Sequence, residues 1–422
     1  MTILEDLKFR GLVHQNTDEE GLIKHLEDGM VTLYCGFDPT ADSLHIGSLL
    51  PILCLRRFQL AGHRPIALVG GGTGLIGDPS GKKAERTLNT SETVQQWSDS
   101  LKAQLSRFLD FNANGNPATV VNNYDWIKDI DVITFLRDIG KSFGLNYMLA
   151  KESVSSRLDA GISFTEFSYM ILQSYDFLKL NEKENCTLQI GGSDQWGNIT
   201  AGMELIRKQN EGEQKEKAFG LTFPLVTKSD GTKFGKTEGG TIWLDAAKTS
   251  PYEFYQFWIN TNDQDVIQFL KYFTFLSKEE IVALEEEMKV APEKRSAQKT
   301  LAEEVTKLVH GEEALQQAIK ITEALFAGNI ADLTGEEIKQ GFKDVPSFQM
   351  ENKDDIALVD LLVNSKISPS KRQAREDIKN GAVYINGVRR QEMETVINAE
   401  DRIEDEFIVI RRGKKKYFLI KY

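Results

Sequence analysis

The chain has 422 residues, 41% hydrophobic and 27% charged, which is the composition of an ordinary globular protein with room for two or three domains. The net charge is −12, but the C-terminal part is basic, since residues 366–422 hold 14 Lys and Arg against nine Asp and Glu. This pattern is typical of a polyanion-binding appendage and is also compatible with an ordinary solvated domain. No leader-like segment, no apolar run near ~18 residues and no paired cysteines are visible, so we expect a protein of the reducing cytoplasm, neither exported nor membrane-inserted and without a dedicated metal site.

Residues 33–48 read as a short buried strand, a loop of small polar residues and the start of an apolar helix. The first N–H groups of such a helix carry a partial positive charge that suits an anion. His45 and Gly47 fall in the predicted first turn, where Gly47 leaves room for a ligand against the backbone. The alternative interpretation is a helix capped by Asp42 or Ser43 beside a surface histidine.

A helix over 49–59 and a strand over 66–69 complete a parallel βαβ unit, which predicts an α/β doubly wound core. The glycines in 72–77 match the dinucleotide fingerprint in form, but Asp78 and Pro79 break the helix that this fingerprint must open. We therefore predict a flexible, glycine-rich pocket wall. A nicotinamide-dependent oxidoreductase remains an alternative.

Further cations and helices follow this glycine run. Lys82 and Arg86 lie four residues apart and are expected to share a helical face, either as two cations for a ligand or for solubility alone. Apolar spacing then predicts helices over 91–111 and 131–150.

The spacing of Ser163 and Glu166 predicts a capping box at the start of another helix. Tyr169, Gln173 and Asp176 lie along one face of this helix, which is either a wet surface or one wall of a polar pocket. An apolar stripe is expected on another face, made of Phe164, Phe167, Ile171 and Leu178.

Two glycine-rich loops come next. The strand predicted over 186–190 leads into 191–198, which carries an Asp and a Gln as a ribose-binding edge would. A later loop holds Lys233 and Lys236; it is not a P-loop, because Gly231 stands one residue too close to the Gly-Lys pair. Such a loop suits a phosphate chain over which it closes.

The remainder of the chain predicts helices and then a small mixed module. Ser250, Pro251 and Glu253 form a strong helix start, and the pattern stays helical to about residue 325. We predict a catalytic domain over 1–245, an α-helical domain over 246–327, a linker over 328–352 and a small α+β RNA-binding domain over 353–422.

Several of these motifs carry a family resemblance. The run His45-Ile46-Gly47-Ser48 resembles the His-Ile-Gly-His signature of class I aminoacyl-tRNA synthetases, and Lys233-Phe234-Gly235-Lys236-Thr237 resembles their Lys-Met-Ser-Lys-Ser loop. With Phe37-Asp38-Pro39-Thr40 and Gly191-Gly192-Ser193-Asp194-Gln195, the chain is similar to bacterial tyrosyl-tRNA synthetases over essentially its whole length. Ser48 departs from the signature, since its hydroxyl can donate a hydrogen bond but reaches less far than the second histidine.

The resemblance implies a Rossmann-like catalytic domain that joins tyrosine to ATP as tyrosyl-adenylate, releases pyrophosphate, and passes tyrosine to the 3'-terminal ribose of tRNA(Tyr). ATP is then a substrate that brings Mg²⁺ with it, and no organic cofactor is bound. A homodimer bridged by the tRNA is also implied. Two alternatives stay open: a non-catalytic RNA-binding protein, favoured by Ser48, and tryptophan as the amino acid, against which Tyr34 and Asp176 argue.

The resemblance also implies roles for individual residues. Catalytic donors to the phosphates would be Thr40, His45, Lys82, Arg86, Lys233 and Lys236. The ATP site would be lined by Cys35, Gly36, Asp38, Gly47, Ser48, Gly192, Asp194 and Lys236, with Asp194 on the ribose. Tyrosine would be held at its phenol by Tyr34 and Asp176, at its ammonium by Asp78, Tyr169 and Gln173, and near its carboxylate by Gln195. RNA contacts would come from Lys371, Arg372, Arg375, Arg411, Arg412, Lys414 and Lys415.

Overall fold

The structure is a computed structural model that describes residues 1–81, 85–159, 161–211, 217–231, 234–237, 240–343, 345–413 and 416–422. The chain forms two compact units. One consists of Met1–Lys248 with Thr261–Leu301, and the other of Thr249–Asn260 with Ala302–Tyr422. In the described part of the chain, no helix has the length and apolar character to cross a membrane.

The first unit is built on a six-stranded sheet with the strand order β1-β6-β5-β2-β3-β4. Its strands are β1 Gln15–Asn16, β2 Thr32–Phe37, β3 Arg64–Val69, β4 Thr119–Asn122, β5 Cys186–Gly192 and β6 Phe219–Phe223. All neighbouring strands are parallel except β1, which pairs antiparallel with β6. The doubly wound parallel sheet predicted from the sequence is therefore confirmed.

Helices connect these strands and cover the sheet. Up to residue 211 they are α1 Ile3–Arg10, α2 Glu19–Glu27, α3 Ile46–Leu60, α4 Ser91–Leu105, α5 Tyr124–Ile127, α6 Val132–Thr134, α7 Leu145–Leu149, α8 Glu152–Ser155, α9 Phe164–Glu184 and α10 Trp196–Gln209. Tyr34 of β2 and Ile66 and Leu68 of β3 belong to one core cluster with buried residues of α9 and α10. Because alternate residues face opposite sides of a strand, the residues between them face α3, which contacts both strands.

Several local predictions around this core are wrong in detail. The helix expected over 131–150 is a series of short turns: α6, a π-turn over Phe135–Ile139, a 3₁₀ turn over Gly140–Ser142, and α7. Gly140 begins the 3₁₀ turn and Gly144 precedes α7, and glycine disfavours a continuous helix. The helix expected over 91–111 ends at Leu105.

The expected helical face shared by Lys82 and Arg86 is also not found. Residues 85–90, which contain Arg86, have no regular structure, because the side chain of Thr90 caps the following helix and fixes its start at Ser91. Lys82 lies outside the described residues. Phe164, the first residue of the predicted apolar stripe, is 75% exposed, whereas Ile171 and Leu178 are buried.

The helices after residue 250 do not form one compact unit. They are α11 Pro251–Ile259, α12 Asp263–Phe273, α13 Lys278–Val290, α14 Ser296–His310, α15 Glu312–Ala327 and α16 Gly335–Gly341. Ser250 and Glu253 form the predicted capping box at the start of α11. The region expected to be one helical domain, 246–327, is divided between the two units, so its boundaries stay a prediction.

The C-terminal part of the second unit has a five-stranded sheet in the order β12-β11-β14-β15-β9. Two short strand pairs also form, β7–β8 in the first unit and β10–β13 in the second. The strands after β6 are β7 Lys236–Thr237, β8 Gly240–Thr241, β9 Ser347–Gln349, β10 Ile356–Ala357, β11 Val383–Ile385, β12 Val388–Arg390, β13 Val396–Ile397, β14 Phe407–Arg412 and β15 Lys416–Lys421. Helices α17 Leu358–Asn364 and α18 Lys371–Lys379 pack on this sheet and complete the predicted α+β module.

The segment expected to be a linker, 328–352, is regular structure instead. It contains α16 and β9, and β9 pairs in parallel with β15. Phe342 is buried and packs against Tyr417 with their ring centroids 5.6 Å apart. Its sequence is poorly periodic because short elements, each buried on a different side, leave no sustained repeat.

Candidate active site

A cleft of about 320 Å³ lies at the carboxyl ends of β2 and β5. β2 lies between β5 and β3, and β3 is also the next strand along the chain. The loops after β2 and β5 therefore leave the sheet in opposite directions. In an open parallel sheet this switch point is where ligands bind.

The cleft is lined by every residue predicted to bind tyrosine or ATP or to act in catalysis whose side chain the structure describes. These residues are Tyr34, Cys35, Gly36, Asp38, Thr40, His45, Gly47, Ser48, Asp78, Arg86, Tyr169, Gln173, Asp176, Gly192, Asp194 and Gln195. Lys82 and Lys233 lie outside the described residues, as does the side chain of Lys236. The polar face of α9 is therefore a pocket wall and not a wet surface.

The deep end of the cleft holds a buried carboxyl group, that of Asp176. Asn123 Nδ2 donates to Asp176 Oδ2 at 2.9 Å, and Trp126 Nε1 donates to Asp176 Oδ1 at 2.8 Å. Burial raises the pKa of Asp176 to about 8, although both hydrogen bonds oppose this rise. The Tyr34 hydroxyl is buried nearby with no hydrogen-bond partner among the described residues. Together these groups leave a donor and acceptor site for one ligand hydroxyl.

A second buried carboxyl group, Asp38, stands after β2. It accepts hydrogen bonds from the hydroxyls of Tyr169 at 2.6 Å and Thr73 at 2.7 Å. Burial raises the pKa of Asp38 to about 6, against the effect of these two bonds. Tyr169, assigned by resemblance to the ligand ammonium, is therefore bonded to Asp38 in the structure, and its pKa is raised chiefly by burial.

A hydrogen-bonded network occupies the middle of the cleft. Gln195 Nε2 donates to Asp78 Oδ2 at 2.8 Å. Asn198 Nδ2 donates to Gln173 Oε1 at 3.1 Å and to Gln195 Oε1 at 3.2 Å. Arg86 Nε donates to the Asp78 carbonyl at 3.1 Å. These contacts hold one carboxylate, three amides and one guanidinium at fixed positions around the space between Asp176 and the mouth.

The mouth of the cleft is the start of α3, and His45 is its N-cap residue. His45 Nδ1 accepts from Gly47 N at 3.0 Å, so the alternative caps, Asp42 and Ser43, are wrong. Asp42 instead pairs with Lys248 at 2.7 Å. A Cβ atom at Gly47 would lie 2.7 Å from the His45 ring, so a larger residue there requires this ring to shift.

The segment after Gly235 runs beside this helix start. Ile46 N donates to the Ile242 carbonyl at 3.0 Å, and the ring of His45 meets Trp243 edge-on with their centroids 6.3 Å apart. Phe234 is buried and stacks on Phe273 at 5.3 Å. The Phe234 ring, within the lysine-bearing loop, and the Ile242 backbone after it thus both contact the body that carries the cleft.

The glycine run after β3 does not open a long helix. Thr73–Leu75 forms a single 3₁₀ turn, and Thr73 and Asp78 supply the cleft-lining side chains of this segment. The dinucleotide fingerprint needs a helix at this point, so the oxidoreductase alternative loses its structural basis.

Sequence reasoning missed Asn123, Trp126, Thr73 and Asn198. Asn123 directly follows β4, at the same edge of the sheet as Asp38, which is a signal that the sequence offers once that strand is recognised. Trp126, three residues later, shares a helical face with Asn123. Their bonds to Asp176 span about 50 positions of the sequence, and no local pattern predicts them.

The cleft offers binding groups and no activated nucleophile among its described cysteines. Cys35 is buried, and burial together with nearby charged groups raises the pKa of its thiol well above the ordinary value, so it stays protonated. The site combines a polar end for a hydroxyl, a central amide network and a helix start with an arginine at the mouth. Such a set of groups can orient substrates and stabilise anionic charge.

The predicted RNA contacts fall into three groups in the second unit. Arg372 and Arg375 are exposed on α18. Arg411 stacks on Tyr384, 3.8 Å from its ring centroid, and Lys371 pairs with Asp360 on the surface. Arg412 serves the fold, since it pairs with Asp377 at 2.8 Å and donates to the Ile367 carbonyl at 2.8 Å. Lys414 and Lys415 lie outside the described residues.

Asp176→Asn is expected to remove a pH dependence of stability. In the folded chain Asp176 keeps its proton up to about pH 8, whereas the ordinary value is 3.8, so the stability that this group contributes at low pH is lost as the pH rises through about 8. Asparagine cannot ionise and lacks this loss. Urea unfolding at about pH 5, 7 and 9 should show the wild type losing free energy of unfolding relative to the variant. A difference that stays constant with pH would contradict the raised pKa.

Comparisons with known proteins agree with this geometry. A family model described as tRNA synthetases class I (W and Y) matches residues 26–327, and one described as tyrosine–tRNA ligase SYY-like C-terminal domain matches residues 337–420. The chain is 72% identical to the tyrosine–tRNA ligase of Geobacillus stearothermophilus over 422 residues, all of both chains. It is 70% identical to tyrosine–tRNA ligase 1 of Bacillus subtilis strain 168 over 420 residues, 100% of this chain and 99% of the other.

A solved structure, the C-terminally truncated mitochondrial tyrosyl-tRNA synthetase of Aspergillus nidulans, is similar with a TM-score of 0.70 and 32% identity. The similarity covers 77% of this chain and 94% of that one. The resemblance seen in the sequence is therefore confirmed. Residues 26–327 match the family's model and contain the predicted cleft and the matching motifs. The chain therefore belongs to the class I tRNA synthetases of the W and Y family.

Proposed function

We propose that this chain is an ATP-dependent tyrosine–tRNA ligase. The observation that carries the choice of amino acid is the deep end of the cleft, where the unpartnered Tyr34 hydroxyl and the Asp176 carboxyl group face space for one phenol. Asn123 and Trp126 hold that carboxyl group in place. A tyrosine side chain pairs the Tyr34 hydroxyl and adds a hydrogen bond to Asp176, whereas phenylalanine leaves the Tyr34 hydroxyl buried and unpaired, at about 1–3 kcal/mol.

The other contacts of tyrosine follow from this placement. With the phenol at Asp176, the amino acid backbone lies in the central network, where Asp78 and Gln173 accept hydrogen bonds from the ammonium. Tyr169 supports this end through Asp38, and Gln195 lies beside the carboxylate. The carboxylate oxygen then points toward the mouth, where ATP binds.

ATP lies at the mouth in this proposal. Gly47 and Gly192 allow the nucleotide to approach the backbone, Asp194 accepts from the ribose hydroxyls, and Ser48 donates one hydrogen bond in place of a histidine. Cys35, Gly36 and Asp38 line the adenosine side. Mg²⁺ arrives bound to the phosphates, because Asp38 and Asp78 are already held by Tyr169, Thr73 and Gln195.

The chemical step is an in-line displacement at phosphorus. An oxygen of the tyrosine carboxylate bonds to the α-phosphorus of ATP as the bond to the bridging oxygen breaks, which gives tyrosyl-adenylate and pyrophosphate. Positioning and charge neutralisation supply most of such catalysis. We assign the neutralisation to Thr40, His45 and Arg86 at the mouth. Lys82, Lys233 and Lys236 complete this set by family resemblance.

The second step transfers tyrosine to tRNA. A hydroxyl of the 3'-terminal ribose attacks the carbonyl carbon of the adenylate, and AMP leaves. We assign catalysis to residues 1–245, an intervening helical domain to 246–327 and RNA binding to 353–422, with the site of reaction in the cytoplasm. The exposed Arg372 and Arg375, with Arg411, are the strongest candidates for phosphate contacts.

ATP–pyrophosphate exchange tests the function directly. Exchange should require tyrosine and should be absent with tryptophan, phenylalanine or no amino acid. Asp176→Ala should weaken tyrosine binding far more than ATP binding, and Tyr34→Phe, which removes one hydroxyl only, should raise the KM for tyrosine about tenfold. No exchange with any amino acid, from folded protein, would leave only the RNA-binding alternative.

The RNA-binding assignment predicts a separable defect. Arg372→Gln with Arg375→Gln should lower kcat/KM for tRNA about tenfold, reduce its salt dependence by about one unit of slope per lost phosphate contact, and leave ATP–pyrophosphate exchange unchanged. The control is Lys339→Gln with Lys343→Gln, which removes two exposed lysines of the same unit that pair with Glu406 and Glu253. Equal losses in both double variants would contradict the assignment.

We also propose that two copies of the chain associate through residues 132–164. Val132, Ile133, Leu145 and Phe164 are each about two-thirds exposed or more, which is an unusual number of exposed apolar side chains for one segment of a protein surface. Phe135 and Phe143 of the same segment pack on the core. A second copy of the same surface covers such a patch symmetrically, as homodimers do.

Phe164→Asp should convert this dimer to a monomer at micromolar concentration, because it places a charge within an apolar contact. Val290→Asp, at a residue that is 86% exposed in the same unit but outside the segment, is the control and should stay dimeric. Light scattering gives both masses. A wild-type chain that is monomeric, or a Phe164→Asp chain that stays dimeric, would count against this surface.

A further inference from the structure

Glu166 stands where a capping box would use it but serves another purpose. Ser163 caps α9 and accepts from Glu166 N at 3.2 Å, but the Glu166 carboxylate turns away from the helix end. At the start of α11 the box is closed, since Ser250 N donates to Glu253 Oε2 at 2.9 Å. The predicted box at Ser163 is therefore only half formed, and the carboxylate of Glu166 is available for other contacts.

Those contacts are a backbone amide and a buried arginine. Glu166 Oε1 accepts from Arg86 N at 2.5 Å, and Glu166 Oε2 pairs with Arg157 Nη1 at 3.0 Å. Both side chains of the ion pair are at most 3% exposed. Arg157 also donates to the Gly161 carbonyl at 3.3 Å. Burying two charges costs free energy, so a buried ion pair adds little to the stability of the fold. It is better suited to fix the position of a neighbouring group.

The position that it fixes is that of Arg86. The Arg86 amide is held by Glu166, and its guanidinium donates to the Asp78 carbonyl. Its stem lies against Gly77, where an added Cβ would be 2.8 Å from Arg86 Cβ and where φ is +91°. A long, flexible cation is thus ordered at three points before any ligand binds, which lowers the entropy lost when it meets an anion.

The charges are also arranged for this task. Glu166 and Arg157 neutralise each other, and the Arg86 guanidinium donates to an uncharged carbonyl, so its positive charge is retained for a ligand. Glu166 itself is buried and paired with Arg157, so it is not a contact for a phosphate. Its bond to the Arg86 amide links Glu166 to the cleft.

We propose that Glu166 and Arg157 are positioning residues for adenylate formation, and that they act by holding Arg86 where the leaving pyrophosphate gains charge. This inference rests on the role given to Arg86 in the proposed function. It assigns neither residue a contact with tyrosine.

A double-mutant cycle tests the proposal. The variants are Glu166→Gln, Arg86→Gln and the two together, and the measurement is the pre-steady-state rate of tyrosyl-adenylate formation at saturating ATP, with the Kd for tyrosine beside it. Glu166→Gln should slow the step about tenfold or more, with tyrosine Kd unchanged within about twofold. In the Arg86→Gln background the same change should add less than about twofold, because the group through which it acts is gone.

Two further variants separate positioning from folding. Ser163→Ala removes the cap hydrogen bond at the same helix end and should leave the rate within about twofold. Arg157→Lys keeps the charge but not the fork of the guanidinium, so it should slow the step less than Glu166→Gln does. It also supplies the test if Glu166→Gln does not fold.

Three outcomes would overturn the proposal. If the effects of Glu166→Gln and Arg86→Gln multiply, or if tyrosine Kd weakens in proportion to the rate, the buried pair is merely structural. If Arg86→Gln slows adenylate formation but neither Glu166→Gln nor Arg157→Lys does, the positioning role alone fails. If Arg86→Gln has no effect, the assignment of Arg86 in the proposed function fails as well.

Discussion

The strand order of the large sheet is the constraint on which the site depends. Because β2 lies between β3 and β5, the chain leaves its carboxyl end toward one face, while the loop after β5 leaves toward the other. The crevice between them exists before any side chain is chosen. Asp38 and His45 then come from the loop after β2, and Asp194 and Gln195 from the loop after β5. All four reach the same space without distortion of the sheet.

Helix α9 turns this crevice into a selective pocket, and it does so at a cost in stability. Asp176 and Asp38 are buried carboxyl groups with raised pKa values, and the Tyr34 hydroxyl and Gln189 Oε1 are buried without a described hydrogen-bond partner. Each unpaired buried group costs about 1–3 kcal/mol. A core built for stability alone would carry apolar side chains here. The polar groups make sense as the complement of a polar ligand that binds in this space.

The sequence predicts the parts of this site that are local. Strand, loop and helix at 33–48 follow from apolar periodicity, and the face of α9 that carries Tyr169, Gln173 and Asp176 follows from its 3.6-residue repeat. Whether that face meets water or a pocket depends on β2, which is more than 130 residues away. The bonds of Asn123 and Trp126 to Asp176 are of the same kind. Periodicity describes one element at a time and contains no information on such pairs.

Charge counting fails for a related reason. The net charge of residues 366–422 treats Arg412 and Arg372 as equal. In the structure Arg412 is bound to Asp377 and to a carbonyl, so it holds the module together, whereas Arg372 is exposed. The count of basic residues therefore gives only an upper limit on the number of cationic side chains that can contact an RNA. Only the fold shows which of them it meets.

The local rules that fail are informative because of where they fail. Thr2 with Glu5, Ser250 with Glu253, Ser277 with Glu280 and Thr334 with Glu337 all form closed capping boxes, and none of these residues lines the cleft. Among the described helix starts, the boxes at Ser163 and Ser370 stay half formed; Gln373 turns to Asp377, and Glu166 turns to the Arg86 amide beside the cleft. Likewise α3 starts at the mouth of the cleft with His45, a residue type seldom used as an N-cap. Where a local rule is broken beside a binding cleft, as at Glu166 and His45, the residue that breaks it is a candidate for another function.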